Sequence, residues 1–70
     1  MSRKITWREP VETSVTKVEI SYSATKYGSY TIIVLINATS DGNAKSTSNT
    51  WVTTYTDPSG LTTYWYKLRF

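Results

Sequence analysis

The run from Tyr55 to Phe70 constrains the fold more than any other part of this 70-residue chain. Tyr55-Thr56-Asp57 reads as the end of a strand, and Pro58-Ser59-Gly60 as a turn, because Pro presets one backbone angle and Gly tolerates the tight ones. A second strand then alternates Tyr64, Tyr66, Leu68 and Phe70 with Trp65, Lys67 and Arg69. Successive strand side chains point to opposite faces, so the first set is expected to face a core and the second to face outward. A strand, a tight turn and a strand with one apolar face predict an antiparallel β-fold.

The rest of the chain follows the same period. No useful length of it repeats apolar residues at the helical spacing. Arg3–Arg8 places Ile5 and Trp7 on one face, and Pro10 ends it for want of a ladder N–H. Val15–Ser23 alternates Val18, Ile20 and Tyr22 with Lys17, Glu19 and Ser21. Lys26-Tyr27-Gly28-Ser29 reads as a turn, with Gly28 expected at positive φ. Tyr30–Ala38 is apolar on both faces through Ile32-Ile33-Val34-Leu35-Ile36. A polar loop opens at Ser40-Asp41-Gly42-Asn43, and the last two strands are expected at Thr50–Thr56 and Thr62–Phe70. Five strands of this spacing predict one all-β domain over residues 1–70, a sandwich or a small barrel.

A chain this short buries only about 60% of the surface its unfolded form exposes. Small domains therefore lean on a disulfide, a metal, a partner or unusually large core residues. With no Cys and no His, disulfides and the usual zinc sites are excluded. The chain instead has six Tyr, three Trp and one Phe, each able to bury roughly 150–250 Å². Thirteen Thr residues add β-branched side chains that suit strands. The net charge of +3 permits an anionic partner without requiring one. No apolar run resembles a signal peptide, and Ile32–Ile36 is far too short to span a bilayer.

Ile5-Thr6-Trp7-Arg8-Glu9-Pro10 resembles the B strand of a fibronectin type III domain, a Leu-x-Trp-x-x-Pro pattern. Val18–Ser23 resembles its strand C, Gly28–Ile32 the turn into C′, and Tyr55–Gly60 the end of strand E with its turn. Thr63-Tyr64-Trp65-Tyr66-Lys67-Leu68-Arg69 resembles its Thr-x-Tyr-x-Tyr strand F. The resemblance implies an antiparallel, immunoglobulin-like sandwich of about five strands, without the family's first and last strands. It makes Tyr64 the corner tyrosine, its hydroxyl bonded to backbone upstream. It places strand F beside strand C, so that Lys17 and Glu19 share the outward face of Trp65, Lys67 and Arg69. Open edges attract other strands. Two copies are therefore expected to pair or exchange elements, unless a flanking segment completes the fold.

The expected core is Ile5, Trp7, Val18, Ile20, Tyr22, Tyr64, Tyr66 and Leu68. The candidate interface is Trp65, Lys67, Arg69, Glu19 and Lys17. Two readings of that face stay open. In one, Trp65 stacks on aliphatic stems and Glu19 meets Lys67 or Arg69 across strands. In the other, Trp65 anchors a contact with a partner, Arg69 beside it. Asn37-Ala38-Thr39 fits a glycosylation sequon. Asp41 and Asp57 read as turn residues.

Catalysis finds no foothold, because there is no His base, no Cys nucleophile and no paired carboxylate. No cofactor or metal is expected. The expected function is a structural or protein-interaction module that self-associates, such as a small phage or viral component or part of a surface protein. The alternative is a small basic barrel that binds nucleic acid by stacking bases and tracking phosphates. Glu9, Glu12 and Glu19 interrupt its basic face.

Overall fold

Val18 and Ile20 have no exposure at all, and they sit two residues apart on the strand that organises the molecule. The structure, a computed structural model, describes residues 2–70. Its strands are β1 (Arg3–Thr6), β2 (Lys17–Ser23), β3 (Thr31–Asn37), β4 (Thr54–Asp57) and β5 (Trp65–Arg69). All pairings are antiparallel: β1 with β4 in one sheet, and β3-β2-β5 in the other. The described residues are thus all-β, with five strands in two sheets. Among the described residues no helix is long and apolar enough to cross a membrane.

Both sheets contribute to one core. Ile5 of β1 clusters with Val18 and Ile20 of β2 and with Ala38 just past β3. Trp7, Val34, Ile36, Tyr55, Tyr66 and Leu68 pack around them, each partly buried. Ile20 stands opposite Leu68 on one side and Val34 on the other, so the alternation read from β2 and β5 is the alternation that fills the core. Tyr22 and Tyr64, expected in the core, lie outside this cluster and are half-buried. They stack on each other instead, ring centroids 4.8 Å apart.

The two-faced apolar character of β3 has a local cause. The β2–β3 register shifts between Ile20 and Ser21: Ile20 pairs with Val34, but Ser21 pairs with Ile32. Ile33 is the extra residue of a β-bulge. Ile33 and Val34, adjacent in sequence, therefore both pack on the core, while Ile32 and Leu35 stay 59% and 61% exposed.

The expected strand Thr50–Thr56 is split between two partners. Val52 N–H donates to the Ala38 carbonyl and Ser40 N–H to that of Thr50, each at 2.8 Å, which extends the pairing beyond β3. From Thr53 the chain joins β1: Trp7 N–H donates to the Thr53 carbonyl at 2.9 Å, and β4 follows. This crossing carries the chain from one sheet to the other.

The left-handed glycine is Gly42, at φ 79°, and not Gly28. Around Gly42 the loop is held by side chains. Asp41 Oδ1 accepts from Asn43 N–H at 3.0 Å and from Asn49 Nδ2 at 2.9 Å, with Thr39 Oγ1 at 3.2 Å. Asn49 Oδ1 accepts from Ser46 N–H at 2.7 Å, and Asn49 is buried. The Asn43 N–H first, then the Asn49 amide, hold the Asp41 carboxyl below its ordinary value of 3.8.

Candidate interface on the three-stranded sheet

The outward face of β3-β2-β5 gathers the residues expected there. Trp65 lies opposite Ser23, Lys67 opposite Ser21 and Arg69 opposite Glu19. Glu19 in turn faces Leu35, and Ser21 faces Ile32. A row thus runs from Arg69 through Glu19 to Leu35, and another from Lys67 through Ser21 to Ile32. Trp65 is 46% exposed. Lys17 sits apart from this group. It lies beyond the last β2–β5 pair and faces Asn37, whose side-chain oxygen accepts its ammonium.

The cations of this face meet aromatic rings. Lys67 Nζ stands 4.2 Å from the centroid of Tyr30, and Lys26 Nζ stands 5.4 Å from that of Trp65. Each is a cation–π contact, the ammonium drawn to the negative ring face. Lys67 must cross Ser21 to reach Tyr30, which accounts for a serine only 9% exposed on an outward face. Tyr30, Lys26, Ile32 and Leu35 were absent from the sequence-based candidates. Tyr30 shares the parity of Ile32, so alternation alone puts it on this face. The bulge at Ile33 hides which apolar residues of β3 join it.

The opposite side of β5 closes a corner of the fold. The Tyr66 hydroxyl donates to Asp57 Oδ2 at 2.9 Å. Asp57 Oδ1 accepts from Ser59 N–H at 3.1 Å, and the Asp57 carbonyl accepts from Gly60 N–H at 3.1 Å. The reach back to the turn therefore belongs to Tyr66, not to Tyr64, and it ends on a carboxylate rather than on backbone. Asp57, read as a turn residue, is also a buried acceptor, 6% exposed. Burial first, then the hydrogen bond to Asp57, push the Tyr66 hydroxyl up to about 12. Arg3 covers this corner: its guanidinium carbon is 5.8 Å from the Tyr66 ring centroid, and Nη1 donates to the Leu61 carbonyl at 2.8 Å.

Beside the corner, Arg3, Thr62, Thr63, Tyr64 and Trp65 line an open cavity of about 400 Å³. Among the described residues no group of His, Cys, Asp or Glu has metal-site geometry. In the Asn37-Ala38-Thr39 sequon Asn37 is exposed, but Thr39 is 1% exposed and its hydroxyl faces Asp41 and the Asn43 carbonyl. No protein-family model, curated protein or solved structure matches the chain.

Proposed function

We propose that the chain is a fibronectin type III-like, non-catalytic module that acts by protein contact and associates with itself through its open sheet edges. The observation that carries this reading is the strand order: β2 alone has a partner on both sides within residues 2–70. Every other strand presents an edge of unpaired N–H and C=O groups, which recruits further strands. The exposed Trp65, Ile32 and Leu35 on the adjoining face favour a contact over a solvated surface. The family assignment draws support from the pairing. A fibronectin-type sandwich pairs B with E and sets C beside F. Here the segments that resemble B and E are β1 and β4, and those that resemble C and F are β2 and β5.

A second reading has one observation in its favour. Lys26, Lys67 and Arg69 accompany Trp65 and Tyr30 on the outward face, with Glu19 as their only strand-paired carboxylate among the described residues. Such a surface suits single-stranded nucleic acid. Sedimentation equilibrium over a range of protein and salt concentrations separates the readings. A concentration-dependent dimer that persists as salt rises supports the first. A monomer retained on immobilised DNA or RNA at low salt, and released steeply as salt rises, supports the second.

A further inference from the structure

Read outward in both directions from Lys67, the β5 segment matches itself. Tyr66 and Leu68 flank it, then Trp65 and Arg69, then Tyr64 and Phe70. A two-fold axis through Lys67 would place each residue of an antiparallel pair opposite its counterpart in that series. Resting on the self-association proposed above, we infer that two copies join β5 to β5 about Lys67 and so form one continuous six-stranded sheet.

In this register every exposed large side chain of the segment except Lys67 gains a partner of fitting chemistry. Trp65, 46% exposed, lies opposite Arg69 of the second copy, and an indole face is the preferred seat of a guanidinium. The symmetry makes that contact twice. Tyr66 lies opposite the second copy's Leu68 and extends the apolar layer across the junction. Phe70, 53% exposed, lies opposite Tyr64, which lines the open cavity with Trp65 and Arg3. The cavity thus stands where the second copy's phenyl ring arrives.

The axis brings Lys67 opposite Lys67, which would oppose pairing if both ammoniums stayed over β5. They do not, because Lys67 Nζ is held 4.2 Å from the Tyr30 ring, across β2 and away from the joining edge. The cation–π contact removes the like charge from the centre of the seam. A foreign acidic strand is the competing occupant, and its prediction differs: the chain alone would stay monomeric.

The chain has no cysteine, so introduced ones report position cleanly. Paired residues on neighbouring strands lie about 4.5–5.5 Å apart at Cα, within disulfide reach. Under oxidising conditions Lys67→Cys is expected to cross-link to a covalent dimer. Arg69→Cys alone is not, since its two copies would lie about 13 Å apart along the strands. An equimolar mixture of Trp65→Cys and Arg69→Cys chains should give the mixed disulfide, which also tests the register with Lys67 in place. Trp65→Ala should raise the dimer Kd about tenfold or more with the circular dichroism spectrum kept, because the symmetry removes both copies of one pair. A dimer by sedimentation in which Lys67→Cys and the mixture both fail to cross-link overturns this register and leaves self-association standing. A monomer at every concentration overturns both.

Discussion

Tyr66 and Asp57 are nine residues apart in sequence and bonded at 2.9 Å, hydroxyl to carboxylate, across the turn that joins β4 to β5. The bond ties the two sheets together, since β4 belongs to one and β5 to the other. It favours the protonated phenol, and this sets its pH dependence. The folded-state value of Tyr66, about 12, lies above the ordinary 10.0. Its stabilisation is therefore complete below pH 10 and lost as pH rises through 12. For a half-buried group screened by solvent the loss is on the order of 1 kcal/mol. Urea midpoints measured from neutral pH to pH 12 should fall over the last two pH units. Tyr66→Phe should be less stable at neutral pH by about 1–3 kcal/mol, because Asp57 Oδ2 is left buried without its donor, and should show a flatter alkaline profile.

Gly60 lies beneath the same hydroxyl. It is buried, and a methyl group at its Cα would come within 2.6 Å of both the Tyr66 hydroxyl and Arg3 Cβ. The hydroxyl is fixed by Asp57 and the Arg3 stem by β1, so neither yields easily. Gly60→Ala should therefore cost about 1–3 kcal/mol through overpacking, read as a lower urea midpoint. The double variant with Tyr66→Phe should recover part of that loss, since one of the two obstructing atoms is gone.

Trp7 packs against the core, yet its indole Nε1 is buried with no hydrogen-bond partner among the described residues. An unpaired buried donor costs about 1–3 kcal/mol. Trp7→Phe removes that penalty along with part of the apolar contact, so the two effects offset and the net change should stay within about 1 kcal/mol. Trp7→Ala removes the unpaired N–H as well but gives up nearly all of the apolar contact, and should lose about 3–5 kcal/mol. That is enough to unfold much of a chain whose total stability is expected at about 4–10 kcal/mol. Equal losses in the two variants would show that the indole N–H has a partner after all.

The parts of this fold legible in the sequence are those that alternation alone decides. Val18, Ile20 and Leu68 lie where a period of two puts them, and so do Trp65, Lys67 and Arg69. What escaped depends on register or on side-chain partners. Ile33 and Val34 can both reach the core only because a bulge inserts a residue there, and no composition cue marks it. Thr50–Thr56 reads as one strand because Trp51, Val52 and Tyr55 suit a sheet equally, while the change of partner near Thr53 is a property of the chain path. Tyr64 and Tyr66 share one parity, so sequence does not decide which hydroxyl reaches the corner. The position of the Asp57 carboxylate decides it. The outward face was expected from β2 and β5, but Tyr30 and Lys26 join it through contacts across strands.

The loop after β3 offers a last test, because one carboxylate organises it. Asp41 Oδ1 receives the Asn43 N–H and the Asn49 amide, and the turn between Asp41 and Asn43 needs Gly42 at φ 79°. A side chain at that φ costs roughly 1–2 kcal/mol, and a methyl group at Gly42 would also sit 3.1 Å from Asn37 Nδ2. Gly42→Ala should thus be destabilising through its backbone angle, whereas Gly28→Ala carries no left-handed penalty and would instead be opposed by the collision of its methyl group with Thr25 Oγ1. The Asp41 carboxyl sits below 3.8, so its contribution is present above that pH and lost as pH falls through its lower folded value. Asp41→Ala should remove the acid-sensitive step. It should also speed amide exchange at Asn43 and Ser46 by hydrogen–deuterium exchange, with Ile20 in the core unaffected. Slow exchange at Asn43 in that variant would show that backbone geometry, and not the carboxylate, holds the loop.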